Sequence, residues 1–276
     1  MLKIDAHQHF WVFDAVKDSW IDDQMLVIKR DFLPADLLPV LQQYGIDGCV
    51  AVQASQSDEE TMFLLDHAAA NPFVKGVVGW VDLKANDLDE KLENYKQYRK
   101  LKGFRHILQS EPDERYMLQP AFKKGIAALQ KHSYTYDVLI FPQHLGCAAE
   151  LAGEFSDQKF VVDHLAKPAI KKQETGKWQK DIEALAKHEN VWCKVSGMLT
   201  EANWTNWKTG DFTPYLDVVF NAFGPSRVMF GSDWPVCLLA GGYHGTMQVV
   251  KNYTDKLSAA EQELFWGGNA ISFYGL

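Results

Sequence analysis

Apolar residues fall along this chain in short runs separated by longer stretches of helical periodicity. Eight runs read as strands: Lys3 to Phe10, Gly48 to Ala54, Val74 to Leu83, Gly103 to Gln109, Tyr136 to Phe141, Lys159 to His164, Val191 to Ser196 and Arg227 to Ser232. Each is rich in Val, Ile or aromatics, and most hold several consecutive apolar residues, the pattern of a strand covered on both faces. The stretches between them carry helix signals. "PADLLPVLQQYG" (34–45) stops at Gly45, and Ser57 with Glu60 reads as a capping box ahead of apolar positions at helical spacing. "DLDEKLENYKQYRKL" (87–101) has acids first and bases last, as the helix dipole favours. Further helices are predicted near 117–132, 145–155, 176–188, 213–223 and 245–256, and a last one starts at Ser258 and is interrupted at Gly267-Gly268.

Strand and helix alternate eight times with no Pro/Gly/Ser-rich linker, so the pattern predicts an α/β fold, a single (β/α)8 barrel spanning residues 1–276. The rival is a doubly wound open sheet, but neither of the glycine-rich phosphate-cradle motifs is present to favour it. A barrel makes a further demand: functional side chains must sit at the C-terminal ends of the strands or in the loops that follow.

Polar residues fall there. His7 and His9 close the first strand, Arg105 and His106 lie in the fourth, and His144 follows the fifth in "VLIFPQHL". His164 ends the sixth in "FVVDHLAKP", and Ser232 and Asp233 end the eighth in "VMFGSDWPV". Residues i and i+2 of a strand share a face, so His7 and His9 can both point into the barrel mouth. Arg105 and His106 must then diverge, and Arg105 is expected inward. Taken singly, each has a bland reading as a core histidine, a turn former or a helix cap. Their coincidence at one rim favours chemistry. His67, His132 and His188 fall on helix surfaces or ends, while His244 in "GGYHGT" could line the site.

Composition narrows the partners. A formal charge of −8 disfavours nucleic acid or an anionic membrane, which select for excess Lys and Arg, so a small molecule is the better ligand. No apolar run approaches the roughly 18 residues of a membrane span, and no secretory leader is evident, so a cytoplasmic protein is expected. The four cysteines, without Cys-x-x-Cys spacing, read as free buried thiols. Nothing in the pattern sets an oligomeric state.

"DAHQHFW", "GFRHILQ", "DHLAKP" and "FGSDWPV", in this order along the whole chain, resemble the amidohydrolase superfamily in its amidohydrolase-2 branch. Within it they are similar to the sugar-lactone hydrolases of the L-fuconolactonase and L-rhamnonolactonase type. The resemblance implies a TIM barrel, hydrolysis of a sugar lactone, and a polar centre of His7, His9 and Asp233 with His144 or His164. Binuclear members use a carboxylated lysine after the fourth strand. Here Gln109, Ser110 and Glu111 stand there and Lys102 is at the strand's other end, so two metals are not expected.

His7, His9, His144 and Asp233 would offer N and O donors suited to one divalent ion, Zn²⁺ by preference, with a metal-free mechanism as the alternative. Asp233 is the expected general base, and His164 and Arg105 are expected to stabilise the oxyanion, with His144 orienting substrate or completing the metal shell. Trp11, Trp80, Trp234 and Gln53 are the expected substrate contacts, with Trp204 and Trp207 in reserve. Two other functions fit the same residues: a decarboxylase whose substrate carboxylate would be held by Arg105 and Lys167, and a barrel that only binds a sugar or a metal.

Overall fold

Parallel strands β1 (Ile4–Gln8), β2 (Gly48–Val52), β3 (Val74–Gly79), β4 (Leu101–His106), β5 (Thr135–Val138), β6 (Phe160–Val162), β7 (Val191–Val195) and β8 (Val228–Phe230) pair in chain order. The computed structural model describes residues Met1–Leu276. The sheet closes just beyond β8, where the Asp233 amide donates to the His7 carbonyl (2.8 Å) and the His9 amide to the Trp234 carbonyl (2.7 Å). Around it lie α1 (Pro34–Tyr44), α2 (Asp58–Ala70), α3 (Leu88–Tyr95), α4 (Pro120–Lys131), α5 (Leu145–Glu154), α6 (Gly176–Ala186), α7 (Thr213–Phe223) and α8 (Gly242–Thr254). The short helices α9 (Ala259–Glu263) and α10 (Asn269–Tyr274) end the chain of this (β/α)8 barrel. No helix is long and apolar enough to cross a membrane.

Several predicted boundaries move, each for a local reason. β3 stops at Gly79 rather than Leu83 because the Thr61 hydroxyl takes both the amide and the carbonyl of Trp80 (2.7 Å each) out of the ladder. β4 begins at Leu101, which pairs with Val77, so the helix expected over 87–101 ends at Tyr95. Ser57 does cap α2 by accepting from the Glu60 amide (3.1 Å). The Glu60 carboxylate, however, accepts from the Ala54 amide (2.9 Å) instead of closing the box. Gly267-Gly268 do not interrupt the last helix; a π-turn over Leu264–Gly268 joins α9 to α10.

The main apolar core lies between the strands and the helix ring, and a second, smaller one fills the barrel itself. Ile4, Ala6, Val50, Val52, Val78, Val161 and Met229 meet Phe273 and Tyr274 of α10 there, so the last helix plugs the bottom. Cys49, Cys193 and Cys237 are buried free thiols, and Cys147 is half-buried. On the opposite rim, residues 9–33 form a long segment tied down by paired backbone bonds between Trp11 and Phe32 (3.0 and 2.9 Å).

One irregularity decides which way the first strand faces. Ile4 and Ala6 belong to the inner core, so strict alternation would also send Gln8 inward and His7 and His9 outward. The pairing with β2 shifts between Asp5 and Gln8, where three steps on β1 match two on β2. This bulge reverses the phase. Gln8 meets Cys49 of the outer core (3.4 Å), and His7 turns inward. Asp5 supports the bulge by accepting from the amides of His7 (3.2 Å) and Ser232 (2.8 Å) and from the Tyr243 hydroxyl (3.2 Å).

Candidate active site

Above the apolar plug the barrel interior becomes charged. Arg105 of β4, Asp137 of β5, Asp163 just after β6 and Lys194 of β7 are all buried. Lys194 Nζ donates to Asp137 Oδ2 and lies 3.0 Å from Asp163 Oδ1 and 3.1 Å from His7 Nδ1. Arg105 Nη1 donates to Asp163 Oδ2 (2.9 Å), and its Nη2 donates to the carbonyl and the side-chain oxygen of Gln53. The Tyr274 hydroxyl of α10 donates to Asp137 from below (2.8 Å). Two cations and two carboxylates thus neutralise one another under the site, the condition for keeping charge in a dry interior.

His7 stands on this layer with its Nδ1 between Lys194 Nζ (3.1 Å) and Asp163 Oδ1 (3.2 Å), and its Nε2 faces up, 3.3 Å from Arg105 Nη1. The Nε2 of His7 is 3.2 Å from that of His9. His9 Nδ1 donates to the Val52 carbonyl (2.7 Å), which turns its Nε2 toward this cluster. Asp233 Oδ1 lies 3.5 Å from His9 Nε2 and 3.9 Å from the Nε2 atoms of His7 and His164. The His164 Nδ1 meets the Ser196 hydroxyl (2.8 Å).

His164 is presented by an unusual backbone. His164, Leu165, Ala166 and Lys167 all have φ between +52° and +57°, a left-handed turn built without glycine. Each such residue costs about 1–2 kcal/mol, so the turn persists only because its surroundings impose it. Leu165 and Ala166 are fully buried, and the Trp178 indole N–H donates to the Leu165 carbonyl (2.8 Å). Opposite, Gly197 (φ +60°) passes so close that an added Cβ would lie 2.5 Å from His164 Nδ1. Gly197→Ala is therefore expected to destabilise the protein by about 1–3 kcal/mol, from strain and overpacking. An unchanged denaturation midpoint would show that His164 is not held by this contact.

These residues border a cavity of about 430 Å³, a size common for small-molecule sites. His9, Arg105, His164 and Asp233 reach it, with Trp11, Trp20, Met25, Gln109, Lys167, Glu201 and Trp204 around them. Other expected contributors are placed elsewhere. His144 is buried at the start of α5, where its Nδ1 accepts from the Phe141 amide (3.2 Å), a local cap that keeps it out of the cluster. Gln53 lies behind the wall and holds Arg105. Trp234 packs among Phe10 and Phe32, and Trp80 does not border the cavity, so neither indole is placed to touch a substrate. His106 faces outward, bound to Glu111 (2.6 Å) and stacked on Tyr116. His244 binds Tyr44 (3.1 Å) on an outer flank. Sequence reasoning missed Asp137, Asp163 and Lys194. Their signal was a charged residue inside an otherwise apolar strand, in "TYDVLIF", "FVVDHL" and "VWCKVSG".

Burial sets the protonation states. It pushes the His7 imidazole well below its ordinary value and that of His164 down to about 4, so both are neutral at pH 7. Burial also raises the Asp233 carboxyl, but His164, His9 and Lys167 outweigh it and hold Asp233 below the usual carboxylate range. Asp163 behaves alike: burial raises it, and Lys194, His7 and Arg105 bring it well below. The site thus pairs neutral imidazoles with an ionised carboxylate.

That donor set fits a divalent ion. Ligand atoms of His7, His164 and Asp233 lie within 4.8 Å of one another, and His9 Nε2 is 3.2 Å from His7 Nε2 and 3.5 Å from Asp233 Oδ1. Two imidazole nitrogens 3.2 Å apart call for a proton or a cation between them, and imidazole with carboxylate suits zinc-like ions.

The sequence profile of the amidohydrolase family matches residues 4–276. An L-fucono-1,5-lactonase of Burkholderia multivorans is 40% identical over 286 residues, covering 100% of this chain and 96% of that protein. An L-fucono-1,5-lactonase of Burkholderia ambifaria is 36% identical, covering 99% and 95%. A crystal structure of an amidohydrolase from Burkholderia multivorans with bound zinc superposes with a TM-score of 0.96 at 39% identity, both chains covered completely.

Proposed function

The chain belongs to the amidohydrolase family, and from that premise we propose that its rim cavity hydrolyses a sugar-derived lactone to the open-chain acid, with Asp233 as general base. The observation that carries this reading is the ionised Asp233 carboxylate on the cavity wall, 3.5 Å from the His9 imidazole, in a chain so similar to named lactonases over its full length.

Opening the ring requires three things of the protein. Asp233 takes a proton from water as the water oxygen bonds to the carbonyl carbon. Arg105, on the cavity wall, faces the charge that develops on the carbonyl oxygen, and where no ion takes its Nε2, His164 joins it. When the bond from that carbon to the ring oxygen breaks, the protonated Asp233 returns its proton to the departing alkoxide. Asp163 and Gln53 pin the guanidinium of Arg105, so little reorganisation is needed as charge builds. A divalent ion held by His7, His9, His164 and Asp233 would supply Lewis acidity at the carbonyl oxygen and a more acidic water.

Decarboxylation fits less well. A substrate carboxylate held by Lys167 would face the Glu201 carboxylate, which repels it. Acid release from L-fucono-1,5-lactone and other aldonolactones, followed with a pH indicator on protein of measured metal content, tests the proposal. Turnover on at least one is expected, with a divalent ion bound. Silence across the panel rejects the lactonase reading. Full turnover with far less than one ion per chain removes the ion from the reaction.

A further inference from the structure

Lys167 and Glu201 face each other on the cavity wall, one after β6 and the other after β7. Their charged ends are 4.0 Å apart, too far for a hydrogen bond, and their side chains are only 19% and 24% exposed. No hydrogen bond supports the Glu201 carboxyl, which burial raises above its ordinary value and Lys167 draws back. The Lys167 ammonium lies 5.5 Å from the centre of the Phe141 ring, and its charge also acts on Asp233. A largely buried ammonium and carboxylate with no hydrogen bond between them, open to a cavity, each leave room for one more partner. The Gln109 amide oxygen, also at this cavity, is buried without a partner. Beside them the Trp204 indole is fixed by its N–H to the Thr200 carbonyl (2.9 Å).

We propose that Lys167 and Glu201 together clamp a hydroxyl group of the substrate, and so set which hydroxylated lactones are accepted. A hydroxyl is the chemistry that fits, since it donates to the carboxylate and accepts from the ammonium at the same time. A carboxylate would be repelled by Glu201 and an amine by Lys167. The left-handed turn through His164–Lys167 links this clamp to the catalytic rim, so the choice of hydroxyl also fixes where the carbonyl lies relative to Asp233. The assignment rests on the lactonase reading and adds to it the part of the substrate that is read.

The test compares wild type, Glu201→Gln and Lys167→Met on L-fucono-1,5-lactone and on unsubstituted δ-valerolactone. On the hydroxylated lactone, kcat/KM should fall about 10- to 100-fold in each variant, mostly through KM. That loss should exceed the loss on δ-valerolactone by at least about tenfold. Glu201→Gln preserves volume, and a thermal melt verifies its fold. As a measurement free of any variant, wild type should discriminate about tenfold or more against one singly deoxygenated analogue of the hydroxylated lactone. Equal losses on both substrates, no loss on either, or wild type indifferent to every missing hydroxyl overturns the clamp alone. Wild type inactive on both lactones overturns the lactonase reading, and the clamp with it.

Discussion

Asp233→Asn is expected to lower kcat on a sugar lactone by at least about 100-fold, the lower end of what removing a positioned base costs, while the protein stays folded. Several features make the substitution informative. Asp233 has φ +58°, a left-handed conformation that asparagine tolerates better than most residues. Its backbone amide, which closes the barrel on the His7 carbonyl, is untouched by the change. The side chain keeps its shape but loses its negative charge. What disappears is the proton acceptor. Steady-state kinetics with a thermal melt separate chemistry from folding: near-normal kcat in a folded variant would strip Asp233 of the base's role. A loss confined to KM would instead point to substrate binding.

The second large effect concerns stability. Lys194→Met should cost about 3–5 kcal/mol, the usual result of removing one member of a buried ion pair. Lys194 is fully buried and touches Asp137, Asp163 and His7. Without it Asp163 retains Arg105, but Asp137 keeps only the Tyr274 hydroxyl against the burial that already pushes its carboxyl up. A neutral partner should repair much of that, so the Lys194→Met, Asp137→Asn double variant should recover at least about 1 kcal/mol relative to additivity. Urea denaturation of the four proteins measures it. Strict additivity would mean that Lys194 and Asp137 do not act as a pair. Activity should also fall in Lys194→Met, because His7 loses a neighbour that fixes its ring.

Much of this protein can be read locally. Eight apolar runs and the helical stretches between them specify the barrel, because burial on both faces of a parallel sheet leaves its mark on consecutive residues. The barrel in turn puts His7, His9, His164 and Asp233 at one rim whatever their distance in sequence. Strand ends were less legible: Trp80 continues an apolar run, yet the Thr61 hydroxyl, from another element, removes it from the ladder. His144 looked equivalent to His164, since both follow apolar strands. A backbone amide three residues before His144 claims its imidazole, whereas a strained turn lifts His164 into the cavity.

The sequence by itself determined the order of the elements and the rim on which chemistry could gather, since both follow from periodicity within a few residues. Which face of β1 carries the histidines was settled only by the bulge between Asp5 and Gln8, and that bulge is held by Ser232 and Tyr243, more than 220 positions away in the chain. The charge balance beneath His7 and the pairing of Lys167 with Glu201 were likewise decided by tertiary structure. Each joins groups from different strands or loops, and a contact of that kind leaves no periodic trace in either segment.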